Sequence, residues 1–283
     1  DPTPGQIDTL REWNRALAEA RVAAIAWPPE WGGRGAGVME QVVHAEEMHR
    51  ADAPGTLNPI GISNIAPAII HFGTDEQRNT FLPRMLRGDD IWCQGFSEPD
   101  QGSDLANAQT RAVRDGDDYV LNGSKIWTSL GSYAKYMILL ARTNPEQKRA
   151  AGLSYFLIPM KVPGIETVPI RKLTGEYGFT QTFFTDARVP AECLMGNEGE
   201  GWKMAMLTLT FERGASGGQA GGLAKMSIDV GDVLELAHLS RRDGRPALQD
   251  PWIRDQMVRY LIEEQGDRLC VSRSQIKALC QER

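Results

Sequence analysis

The spacing of hydrophobic positions changes twice along the chain. From Thr9 to about Arg87 they recur at helical intervals. Leu10, Trp13, Leu17 and Ala20-Arg21 share one face, and Val38 to Arg50 and Asp75 to Arg87 form two further amphipathic stretches. Thr74 stands where the last of these needs an N-cap. Pro28-Pro29-Glu30-Trp31-Gly32-Gly33 and Pro54-Gly55 read as intervening loops.

From Ile91 to about Met195 the pattern becomes strand-like. Tyr136 to Ala141, Ser154 to Pro159, Ile165 to Ile170 and Thr180 to Phe184 are short β-prone runs separated by Gly, Pro and Asp. Tyr119-Val120-Leu121 runs into Asn122-Gly123, which predicts a hairpin turn because both residues tolerate positive φ. From Gly201 the helical period returns. Trp202, Met206, Leu209 and Arg213 are predicted to form one stripe, and Ile253, Met257, Tyr260-Leu261, Leu269, Ser272, Ile276 and Leu279 mark a second long helix. The result is an α+β multidomain plan: an N-terminal α-helical domain (1–90), a middle β-barrel or sandwich domain (91–198) and C-terminal helices (199–283).

Composition narrows the class. The 283 residues are 41% hydrophobic and 24% charged, with 31 Lys plus Arg against 37 Asp plus Glu. This is ample apolar surface for a folded core, which excludes a disordered chain, and the 29 Gly have no collagen period. A net charge of −6 argues against nucleic acid as a partner. No apolar run reaches the roughly 18 to 20 residues of a membrane span. Cys93, Cys193, Cys270 and Cys280 are scattered, so no disulfide framework or zinc ribbon is expected and a reducing compartment is. The start at Asp1, without an initiator Met, reads as trimmed and without a signal peptide.

Several motifs tempt and fail. His44 and His49 lie five apart, about 140° round a helix, so they cannot share a metal as an i, i+4 pair does, and no metal site is expected. Ser132-Tyr133-Ala134-Lys135 matches S-x-x-K without its companion motifs. Gly214-Ala215-Ser216-Gly217-Gly218 fits G-x-S-x-G, with Asp229, Asp232 and His238 following and Met206 to Phe211 as a possible preceding strand. A serine hydrolase using Ser216 is therefore an alternative. Against it, the three partners crowd a short helix-like stretch, with no room for a parallel sheet. Close helix packing accounts for the glycines equally well.

Two segments carry more. Trp92-Cys93-Gln94-Gly95-Phe96-Ser97-Glu98-Pro99-Asp100-Gln101-Gly102-Ser103-Asp104 runs from a strand into small polar residues that expose backbone groups and hydroxyls, a lining suited to a flat heterocycle. Asn122-Gly123-Ser124-Lys125-Ile126-Trp127-Thr128-Ser129 sets an indole before two hydroxyls, where Trp127 either covers a planar cofactor or is a core residue beside turn serines.

Together these segments resemble the acyl-CoA dehydrogenase family, over nearly the whole chain. Pro29-Glu30-Trp31-Gly32-Gly33 is similar to its N-terminal loop, His71-Phe72-Gly73-Thr74-Asp75-Glu76-Gln77 through Leu82-Pro83 to its helix before the β-domain, and Ser97-Glu98-Pro99 with Gly102-Ser103-Asp104 to its signature. Asn122 to Trp127, Val189-Pro190, Asn197-Glu198-Gly199 and Gly201-Trp202 follow in the family's order. The resemblance implies FAD held between the β-domain and a C-terminal helical bundle. Phe96, Ser97, Trp127 and Ser129 would meet the flavin, Ser129 near its N5, and Ser103 would touch FAD and acyl-CoA.

It also implies α,β-dehydrogenation of an acyl-CoA thioester to the 2-enoyl-CoA in fatty acid β-oxidation. Glu212, in Phe211-Glu212-Arg213, would be the α-proton base, with Arg213 beside the substrate and hydride passing to flavin N5. Ala205 and Leu209 at i−7 and i−3 suggest that Glu212 borders an apolar stripe that raises its pKa. A plain helix-surface Glu paired with a nearby Arg is the other reading. Leu239-Ser240-Arg241-Arg242-Asp243-Gly244 departs from the family's R-x-x-F-G, lacking the Phe and shifting the Arg, which leaves Arg241 as the expected FAD phosphate contact across a subunit interface. The resemblance further implies a C-terminal bundle that is only partial here, exposing an apolar helix face. It implies an electron-transfer flavoprotein or similar acceptor, a homo- or hetero-oligomer (dimer or tetramer), and the bacterial cytoplasm rather than the mitochondrial matrix. A weakly catalytic or non-catalytic subunit of a hetero-oligomer is the alternative within the family.

Overall fold

A computed structural model describes residues 4–213 and 230–281. The N-terminal helices are α1 (Pro4–Glu19), α2 (Val38–Arg50), α3 (Ala66–Phe72) and α4 (Asp75–Leu86). Thr74 caps α4 as expected: its side chain accepts from the Gln77 backbone and the Gln77 side chain answers to the Thr74 N–H, a capping box. Helical structure between Ile60 and Phe72 was not among the predicted stretches. A π-helical turn, Ile60–Ile65, leads directly into α3. Pro59, Gly61, Ser63, Asn64 and Pro67 break the local pattern. Packing overrides this, because Ile62, Ile65, Ala66, Ala68 and Ile69 are all buried.

Eight strands follow: β1 (Trp92–Gly95), β2 (Arg111–Asp115), β3 (Asp118–Ser129), β4 (Tyr136–Arg142), β5 (Leu153–Pro159), β6 (Ile165–Arg171), β7 (Tyr177–Pro190) and β8 (Leu194–Met195). Their order is β6-β7-β3-β2-β4-β5-β8, with β1 added parallel to the first half of β4. The strands curl around one interior, where Cys93, Leu121, Met137, Leu139, Phe156 and Val189 meet. Alternate residues of the central strands, Ile138 and Leu140 on β4 and Tyr155 and Leu157 on β5, face the other way into a core shared with the helices. Strands covered on both faces explain why 136–142 and 153–159 read as unbroken apolar runs.

The predicted hairpin turn at Asn122-Gly123 is not there. β3 runs straight through it, with a register shift against β7 between Leu121 and Gly123. Gly123 takes φ +139, and a Cβ there would lie 2.8 Å from the Thr110 backbone, so the glycine serves this close approach, opposite a bulge at Thr185-Asp186 of β7. The turn lies earlier, at Asp115–Asp118 joining β2 to β3, with Gly116 at φ +63.

The C-terminal helices are α5 (Gly201–Glu212), α6 (Val230–Leu239) and α7 (Pro251–Gln281), with a small hairpin at 241–246. The buried side of α5 is Gly201, Met204, Ala205 and Thr208, not the predicted stripe through Trp202, Met206, Leu209 and Arg213. A Cβ at Gly201 would lie 2.5 Å from the Ser154 backbone, so α5 begins pressed against β5 and this close approach sets which face is buried. Asp90 ties the helical and β regions together. Its buried carboxylate accepts from Arg84 on α4 at 2.6 and 3.0 Å and from Lys135 at 2.8 Å.

Candidate active site

The site forms where the end of β1 meets the second half of β3. The Ile126 N–H donates to the Ser97 carbonyl at 2.9 Å, joining the two signature segments side by side. Beneath them Lys125 is wholly buried. Its Nζ donates to the Phe96 carbonyl at 3.0 Å and to Glu98 Oε1 at 2.8 Å. Glu98 also accepts from the backbone N–H groups of Gln109 and Thr110, at 2.6 and 2.8 Å. Burial alone would push the Glu98 carboxyl up, but the Lys125 charge and these donors hold it below the ordinary range. The pair is an ionic clamp that fixes the backbone of both segments.

Above the clamp β3 itself bulges, with a register shift against β7 between Lys125 and Thr128. Trp127 sits at φ +61, a conformation bulky residues rarely adopt, and its indole is 58% exposed. It meets Phe179 edge-on, at 6.0 Å between ring centres. Such strain persists where surrounding structure imposes it, most often at functional sites. Phe96 is buried beside Tyr155, and Ser97 and Ser129 are half-buried.

Helix α5 closes the other side. Thr208 Oγ1 and Tyr155 Oη lie 3.0 Å apart, and one turn later Gln94 Nε2 on β1 donates to Glu212 Oε2 at 3.1 Å. Glu212 itself is exposed, so the desolvated setting expected for it is absent. Because α5 buries Met204, Ala205 and Thr208, Leu209 is only half-buried and offers little apolar cover. A cavity of about 250 Å³ lies between α5 and the N-terminal helices, lined by Trp27, Gln41, Ile62, Ser63, Ile70, His71, Leu207 and Phe211.

The remaining expected residues lie apart from this cluster. Ser103 is exposed in the turn after the Glu98–Gln101 bridge, and Arg213 is exposed at the C-cap of α5. Arg241 belongs to the 241–246 hairpin, where its guanidinium donates to the Gly244 carbonyl at 3.3 Å. Ser216 lies outside the described residues. Met206 to Phe211 is helical, so the strand a nucleophile elbow needs before Ser216 is replaced by α5.

Glu98, Lys125 and Gln94 were not assigned roles from sequence. One signal was available. Tyr119 and Leu121 alternate inward on β3, and Lys125 falls on the same face, where a charge must find a partner.

A flavin fits these residues on structural grounds. The exposed indole at Trp127 is held in a strained backbone. A buried oxygen on β3, Thr128 Oγ1, also lacks a hydrogen-bond partner among the described residues.

Comparison with known proteins defines the class. Residues 4–89, 93–187 and 199–276 match the N-terminal, middle and C-terminal domain models of acyl-CoA dehydrogenase. Acyl-CoA dehydrogenase IpdE1 of Mycobacterium tuberculosis is 43% identical over 253 residues, 89% of this chain and 64% of that protein. A solved structure described as the Tcur3481-Tcur3483 steroid ACAD aligns at TM-score 0.78 and 34% identity, over 95% of this chain and 67% of the other. The ChsE4-ChsE5 complex from Mycobacterium tuberculosis aligns at TM-score 0.77 and 31% identity, over 96% of this chain and 71% of the other. The chain belongs to the acyl-CoA dehydrogenase family, an α+β multidomain fold, and spans about two thirds of the length of these relatives.

Proposed function

We propose that the protein dehydrogenates an acyl-CoA thioester to the 2-enoyl-CoA with Glu212 as base. The observation that carries this reading is the Gln94–Glu212 hydrogen bond, which ties a carboxylate of α5 to β1 two residues before Phe96. FAD, when bound, supplies the acceptor for the hydride leaving the β-carbon. Phe96, Ser97, Trp127 and Ser129 would hold it through backbone groups, hydroxyls and the indole face. Ser103 and Arg241 are retained as proposed FAD contacts.

The α-proton is weakly acidic, so its removal needs a carboxylate held close and a polarised thioester carbonyl. The α C–H bond breaks as an O–H bond forms on Glu212. The electron pair it leaves forms the double bond as the β-hydrogen departs with its own pair. Arg213 and Ser103 are proposed substrate contacts, with the cavity beneath Leu207 and Phe211 taking the acyl group. Its apolar lining and the similarity to a protein described as a steroid ACAD support testing ring-bearing acyl groups first.

The partners follow the same reading: an electron-transfer flavoprotein or similar acceptor, and a second subunit. Exposed Leu234, Leu236 and Leu239 on α6 and Trp252, Val258 and Ile262 on α7 support an assembly face. A hetero-oligomer in which this chain catalyses weakly is a second reading. It is favoured by Arg241 engaging its own hairpin and by the similarity to a structure described as a complex. Anaerobic titration of the purified protein with straight-chain and ring-bearing acyl-CoAs tests both. Flavin absorbance bleaching with one class supports the first reading, and a colourless protein that gains flavin only with a partner supports the second.

A further inference from the structure

We propose that Gln94 is a positioning residue for Glu212, holding one carboxylate oxygen in place and leaving the other to take the proton. The proposal rests on the reading of Glu212 as base and adds what aims it. Gln94 occupies the middle of β1, between buried Cys93 and Gly95 and opposite Ile138 of β4, on the face that looks toward the helices. A polar amide there is costly. Its Oε1 is buried without a partner among the described residues, and its one hydrogen bond runs from Nε2 to Glu212 Oε2 at 3.1 Å. An apolar side chain of similar volume would fill the site without stranding a carbonyl, so the fold alone gives no reason for glutamine.

The contact has a chemical consequence. A hydrogen bond donated to one oxygen of a carboxylate limits its rotation and fixes where the other oxygen points. Glu212 lies in the last turn of α5, four residues after Thr208, whose hydroxyl meets Tyr155. Tyr155 and Gln94 therefore pin successive turns of one helix face. Ionisable groups on the elements packed most extensively against α5 include Tyr155 on β5, His71 on α3 and Arg149 in the 149–152 turn; Lys203 lies on α5 itself, Cys93 precedes Gln94 on β1, and Arg213 follows Glu212 in the chain. Burial pushes the Tyr155 hydroxyl up, out of the neutral range, and Arg149 pairs with Asp104 at 3.0 Å. Gln94 is the side chain that hydrogen-bonds Glu212, and so the one placed to aim it.

The test uses the full-length protein with FAD bound and compares wild type, Gln94→Met and Glu212→Gln. Two quantities are measured: the limiting rate of flavin bleaching at saturating acyl-CoA, and the acyl-CoA concentration that gives half that rate. Gln94→Met should lower the limiting rate about tenfold, with the half-saturating concentration, FAD retention and melting temperature little changed. A limiting rate equal to that of wild type, or a loss matched by weaker acyl-CoA binding and lower stability, overturns the proposal, as does a Gln94→Met protein that cannot fold. The two readings separate cleanly. Normal bleaching by Glu212→Gln removes the base assignment itself, whereas an inactive Glu212→Gln beside a Gln94→Met protein that bleaches at the wild-type rate removes only the role of Gln94.

Discussion

At the scale of single residues, two positions near the β1–β3 junction have opposite characters. Glu98 and Lys125 form a buried ion pair, so removing one charge strands the other. Glu98→Gln should lower unfolding free energy by about 3 kcal/mol or more in urea titration. The Glu98→Gln/Lys125→Met double variant should lose less than the sum of the single changes. Trp127 is the reverse case, exposed and strained at φ +61. Trp127→Gly relieves a left-handed conformation without opening a core cavity, so melting temperature should hold or rise while flavin retention in gel filtration falls. A marked loss of stability would mark Trp127 as a packing residue. Both segments stood out in the sequence by composition and order. The clamp beneath them did not, because Glu98 and Lys125 are 27 residues apart and only the curl of the sheet joins them.

At the scale of elements, the sequence was clearest where one physical effect dominated. Val38 to Arg50 has helical spacing and no internal breaker, and α2 occupies that range. The doubly covered strands β4 and β5 read as apolar runs. Legibility failed where tertiary contacts overruled local chemistry: Ile60 to Phe72 is helical despite Pro, Gly, Ser and Asn, and Asn122-Gly123 continues a strand opposite a bulge in β7 instead of turning. The bulge gives a direct test. Gly123→Ala would force a side chain into φ +139 and toward the Thr110 backbone, so we expect about 1–3 kcal/mol of destabilisation and partial loss of flavin through the distorted β3. A neutral substitution would mean that the strand can re-register. α5 shows the same limit. Trp202, Met206 and Leu209 at helical spacing identified the helix but not its buried side, which the contact of Gly201 with β5 decides.

At the scale of the whole molecule, the junction of the helical and β regions depends on Asp90. Burial raises its pKa, but the hydrogen bonds and charges of Arg84 and Lys135 outweigh this and leave it below the ordinary aspartate value. The folded-state pKa therefore lies below the unfolded one, so the contribution is complete above about pH 4 and is lost as pH falls further. Asp90→Asn should lower stability at neutral pH and flatten its decline below about pH 4, measured by thermal melts across the acid range. An unchanged acid slope would show that other carboxylates govern it. No helix among the described residues is long and apolar enough to cross a membrane.

The central claim is that a carboxylate on α5, aimed by β1, takes the α-proton. Anaerobic stopped-flow mixing with an acyl-CoA that reduces the wild-type flavin tests it most directly. Glu212→Gln should still bind FAD and acyl-CoA yet leave the flavin absorbance unbleached. Bleaching of Glu212→Gln at the wild-type rate would contradict the account.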